Sequence, residues 1–155
     1  MSREIDALIA EHVMGYKKST KDVYMSYGQD PKQNHLNRCE FTGNRECFLD
    51  NFGVPLFLED DVVTQQKLPK YSTDIKAAWE VVNWLNNNAP EQKYGYYSDY
   101  FLVMEFRDKE WGCGFMYDIP YEGWSEHEIY VSAKTAPMAI CLAALKAKGI
   151  EVDEN

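Results

Sequence analysis

A chain of 155 residues sits in the size range of one domain and can bury roughly two-thirds of its unfolded surface, so no disulfide or metal staple is required. Its 45% hydrophobic and 14% aromatic content excludes a disordered chain. The formal net charge of −9 repels phosphate backbones and anionic bilayers, which disfavours direct contact with nucleic acid or membrane. The densest basic group, Lys17, Lys18 and Lys21, is diluted by Glu11, Asp22 and Asp30 and reads as a solvated loop.

Ile5, Leu8, Ile9, Val13 and Tyr16 recur at the spacing of one helix face, with Ser2 placed to cap and Gly15 to stop, which predicts a helix over about 3–15. Residues 17–70 are polar and interrupted by Gly28, Pro31, Gly43, Gly53, Pro55 and Pro69, with two short apolar pieces at Cys47-Phe48-Leu49 and Val54 to Leu58; they read as an elaborated connection with room for one or two short strands. A second helix is expected over 72–87, with Ser72 or Thr73 as cap, Asp74 in the first turn, and Ile75, Ala78, Trp79, Val82 and Leu85 as its buried stripe. Asn86, Asn87, Asn88 and Pro90 end it. Aromatic and β-branched residues on either side of Asp108-Lys109-Glu110 predict an antiparallel hairpin over 100–117, and a third strand follows at 128–133. Thr135 and Pro137 then open a last helix over 136–148, apolar on nearly every face and stopped by Gly149, so it must be mostly buried.

Helices interspersed with a small antiparallel sheet make an α+β protein, and neither a repeat nor a change of composition divides residues 1–155 into further domains. The segments Arg3 to Gly15, Tyr71 to Val82 and Thr135 to Leu145 together resemble the phage ABA (α-β-α) sandwich domain family. The resemblance implies a phage or prophage source and an α-β-α sandwich. It implies no activity, since the family is defined by structure and carries no catalytic residues to transfer. Tyr16 stands where that family usually has tryptophan.

Candidate chemistry is sparse. Backbone amides and hydroxyls at the start of the second helix favour an anion, which nominates Tyr71, Ser72 and Thr73 as ligand-binding residues, although helix capping accounts for the same residues. Tyr96 and Tyr97 join them as stacking candidates from the tyrosine-rich stretch 94–101. His35, Cys39 and Cys47 lack the spacing of a structural zinc site and have no evident fourth ligand, and Glu59-Asp60-Asp61 lacks the alternation of a calcium loop. Neither a metal nor another cofactor is expected. Cys113 reads as a strand cysteine between glycines, and His12 and His127 have no placed nucleophile beside them, so an enzyme is not expected. The N-terminus has no signal-peptide pattern and the apolar runs near either end fall far short of a membrane span, which points to the host cytoplasm and to reduced Cys39, Cys47, Cys113 and Cys141. Eleven tyrosines, seven phenylalanines and four tryptophans exceed what a small core can bury, and aromatics of this kind dominate recognition surfaces. The expected function is therefore binding: a host protein as partner, inhibition of host antiviral defence as the outcome, and sequestration of a small nucleotide signal as the alternative. An exposed aromatic patch would equally serve a second copy in a homo-oligomer.

Overall fold

Ile5, Ile9 and Val13 are buried along one side of the first helical segment, as their spacing predicts. In the computed structural model, which describes residues 2–27, 38–59, 66–88, 101–116 and 129–152, this segment is not uniform. It begins as α1 (Ser2–Leu8) and widens into a π-helical turn over Ile9–Val13, where Met14 N–H reaches back to the Ile9 carbonyl at 2.9 Å. Gly15, at φ +71, ends it in a conformation that a side chain would resist.

The chain divides into two compact units, one comprising Met1–Gly15 with Pro69–Asn155 and the other Tyr16–Leu68. The second unit corrects the expectation of a largely irregular connection. Strands β1 (Lys17–Tyr27), β2 (Arg38–Leu49) and β3 (Pro55–Phe57) form an antiparallel sheet in that order. Val23 pairs with Gly43 and Tyr24 with Phe41, so Thr42 is an extra residue, and Gly43 at φ +126 absorbs the resulting bulge. Val23, Cys47 and Phe57 make a small core against which Leu49 packs. These strands escape a periodicity reading because Lys17, Lys18, Thr20, Lys21 and Asp22 all face solvent, which leaves β1 few apolar residues to alternate.

In the first unit the expected hairpin and third strand are present as β4 (Phe101–Arg107), β5 (Glu110–Met116) and β6 (Ile129–Ala133), antiparallel throughout. The two expected helices are α2 (Ile75–Asn87) and α3 (Ala136–Ala147). Helix α3 lies against β5 and β6 and also against α1, the π turn and α2. Ala139, Ile140, Cys141, Ala143, Ala144 and Leu145 are accordingly all buried. Its C-terminus closes with Ile150 N–H on the Leu145 carbonyl and Gly149 at φ +76, the left-handed stop expected of that glycine. Thr135 holds the N-cap position without a side-chain hydrogen bond. Among the described residues, three helices and two small antiparallel sheets thus make an α+β protein, with one sheet more than the sequence suggested.

The approach to α2 is anchored by a buried carboxylate. Asp6, fully buried, accepts a charge-assisted bond from Arg3 at 2.9 Å and the Ser72 N–H at 2.8 Å, while the Ser72 hydroxyl donates to the Ser2 carbonyl at 3.0 Å. Removing the carboxylate strands a buried amide, so Asp6→Ala should lower stability by about 2–4 kcal/mol. Asp6→Asn should be milder because its amide oxygen can still accept from Ser72. Urea unfolding of the two variants beside the parent checks both the size and the order.

Candidate functional site

The segment nominated at the start of α2 is arranged as a joint. Tyr71 and Ser72 are buried, and both the N–H and the hydroxyl of Ser72 are engaged with Asp6 and Ser2. Thr73 is exposed. The cap of α2 is Asp74, whose carboxylate accepts the Lys76 N–H at 2.9 Å, and not Ser72 or Thr73. Sequence reasoning placed the cap one or two residues early because all three residue types favour that position. Tyr96 and Tyr97, as well as His35 and His127, lie outside the described residues.

Among the described residues Phe52, in the turn before β3, is the most exposed large apolar side chain, at 92%, while the β4–β5 hairpin carries a packed pair of aromatic rings at its surface. One face of the sheet carries Phe115 and Cys113, which are buried; Trp111, further along β5, is half-buried, and its cross-strand partner Phe106 is 60% exposed. Burial therefore runs out toward the turn and leaves the Phe106 and Trp111 rings in contact, with centroids 5.2 Å apart and tilted by 50°. The turn itself is two residues long, Asp108 at φ 54 and Lys109 at φ 68, a pair of left-handed residues that matches strand twist without glycine. Such a short connection ties the two strands together directly beside the aromatic pair.

The opposite face carries Glu105, Arg107, Gly112 and Tyr130. Tyr130 lies over Gly112, where a Cβ would collide with its ring and hydroxyl, and donates its phenol proton to Glu105 at 2.5 Å; Arg107 stands 3.7 Å from the same carboxylate. The hydrogen bond to Glu105 is the main reason the Tyr130 phenol is held above its ordinary range. This arrangement depends on a glycine whose role is visible only once β5 and β6 are in register.

The thiols are arranged for packing. Cys47, Cys113 and Cys141 are free and buried. Burial pushes Cys113 up to about 12 and raises Cys141, to which nearby Asp6 and Cys113 add; Cys47 is also raised by burial, with Lys21 opposing. That is the reverse of an activated nucleophile. His12 is partly exposed and 3.9 Å from Glu11. Among the described residues no group of three or more His, Cys, Asp or Glu side chains is placed to hold a metal ion, and no helix is long and apolar enough to cross a membrane.

Both sheets, the π turn, α2 and most of α3 fall within residues 7–145, and over that span, which takes in only the end of α1, the chain matches the family model for the phage ABA sandwich domain. The chain belongs to the phage ABA sandwich family. No curated protein and no solved structure matches it. The match of this ABA sandwich protein runs across 17–68, the region that departs most from a simple connection, so the β1–β2–β3 sheet lies within the bounds of the family match.

Two outcomes test this site. In spectrophotometric titration, the tyrosine signal lost in Tyr130→Phe should ionise at lower pH in Gly112→Ala, because the added methyl displaces the phenol from Glu105. Among the four cysteines, three are buried, so a thiol reagent at neutral or mildly alkaline pH should modify no more than the Cys39 thiol quickly, and all of them after denaturation.

Proposed function

We propose that this phage ABA sandwich protein is a non-enzymatic accessory factor that acts by binding a host protein, and that the partner belongs to the host's antiviral defence. The observation that carries the reading is the Phe106–Trp111 pair at the end of a tight hairpin, with Phe106 60% exposed. Aromatic side chains displayed on a rigid element lose little entropy on binding and supply most of the energy at protein interfaces. The net charge of −9 favours a basic partner surface and speeds encounter with it. The alternative is sequestration of a small nucleotide by Tyr71, Ser72 and Thr73 or by Tyr96 and Tyr97; the first of these sites draws less support, because the hydrogen-bonding groups of Ser72 are already engaged within the protein.

Native mass spectrometry of tagged protein recovered from host cells, run in parallel on the parent and on Phe106→Ala, tests the reading. A host protein should accompany the parent in fixed stoichiometry, and loss of the exposed ring should weaken that complex by about tenfold or more while leaving thermal stability nearly unchanged. Equal capture by the variant would remove the hairpin from the interface. A retained nucleotide mass with raised absorbance at 260 nm, lost in Thr73→Ala, would replace this reading with sequestration.

A further inference from the structure

Helix α2 presents a second aromatic surface, on a different element from the hairpin. The expected buried stripe included Ile75 and Trp79, yet the buried side is formed by Ala77, Ala78, Val81, Val82 and Leu85. Ile75 is 44% and Trp79 45% exposed. Successive helix turns therefore bring one large aliphatic and one large aromatic side chain to solvent on the same face. Lys76 and Glu80, also exposed and also four residues apart, run beside them.

These two pairs have a shared geometric property. The midpoints of the Ile75–Trp79 and Lys76–Glu80 pairs fall one residue apart along α2, so a single antiparallel two-fold axis at that height on the exposed side serves both pairs. It sets Trp79 of one copy against Ile75 of the other, and Lys76 of one against Glu80 of the other, each contact occurring twice. A two-fold interface requires this kind of self-complementarity, in which a residue that meets a second residue is met by it in return. A partner of a single charge sign would satisfy only one of Lys76 and Glu80, whereas a second copy satisfies both.

We propose that two copies of this chain associate through the exposed face of α2, in an antiparallel pair that buries Ile75 and Trp79 and joins Lys76 to Glu80 across the axis. One helix pair buries less than a standard interface of about 800 Å² per partner, so the dimer should be weak, with a dissociation constant of about 10–100 μM. Sedimentation velocity of the full chain at low salt, from about 1 μM to about 500 μM, spans that range on both sides. The parent should shift from monomer to dimer with concentration, and Trp79→Ala should remain monomeric. Lys76→Glu and Glu80→Lys should each oppose like charges across the axis and lose dimer when studied alone. Mixing these two variants should restore association, because each heterodimer regains two opposite-charge contacts. Both charge changes lie on the exposed face, so this exchange remains informative even if Trp79→Ala perturbs folding. A parent monomeric throughout, a dimer that persists in a folded Trp79→Ala, or a mixture no better associated than its components would overturn the proposal.

Discussion

Helix α3 has neighbours on too many sides to keep a polar face, and the first unit is built around that constraint. It meets β5 and β6 as well as α1, the π turn and α2. A helix approached from several directions can be neither strongly amphipathic nor uniformly bulky. The sequence resolves this with Ala139, Ala143 and Ala144 among Ile140, Cys141 and Leu145, all without exposed surface. Small side chains allow close approach where elements crowd, and the larger ones fill what remains, which is how interiors reach high packing density. Cys141 illustrates the position, being within electrostatic range of Asp6 from α1 and of Cys113 from β5.

An all-apolar helix gives burial but little directional information, because one hydrophobic contact substitutes for another. Direction comes from the polar joint beside it. Asp6 is buried in full, and an unpaired carboxylate there would be strongly unfavourable. Arg3 supplies charge, and the backbone of Ser72, sixty-six residues from Asp6 in sequence, supplies the fixed donor. Registry thus rests on a hydrogen-bonded carboxylate that tolerates few alternative positions. The same joint occupies the groups that made Ser72 look suited to an anion, which shows how a helix start can carry the residue types of a ligand site while serving the fold.

The parts of this fold legible in the sequence are those in which local chemistry and tertiary burial agree. Helix α3 was visible in its all-round apolar composition and in Gly149, and the β4–β5 hairpin in aromatic runs interrupted by three polar residues. Helix α2 was legible in extent and in part of its orientation, since Ala78, Val82 and Leu85 are buried as expected and Ile75 and Trp79 are not. Ile75 and Trp79 fit a hydrophobic stripe by spacing alone, whereas Ala77 and Val81 occupy the side that is buried. Periodicity finds an apolar arc and cannot say which edge of a broad arc meets the core. Strands β1 and β2 were missed for the opposite reason, since pairing with each other satisfies their backbones without requiring much apolar surface. The role of Gly112 could not be read at all, because it exists only when Tyr130 from another strand lies over it.

Surface aromatics are the features that the core does not explain. Phe106 and Trp79 occupy different elements, a hairpin end and a helix face, and each is held by a neighbouring structure that was complete without it. For Phe106 the support is the paired Trp111 and a two-residue turn whose residues both adopt left-handed conformations, an arrangement that costs a non-glycine residue about 1–2 kcal/mol each. A longer turn would avoid that strain but would leave the rings less fixed. Exposure of a large ring and left-handed turn residues both oppose stability, and their coincidence at one end of the sheet is what motivates the binding role proposed for it. The fold family alone does not supply a function, so any binding role must come from the side chains that this scaffold leaves uncovered.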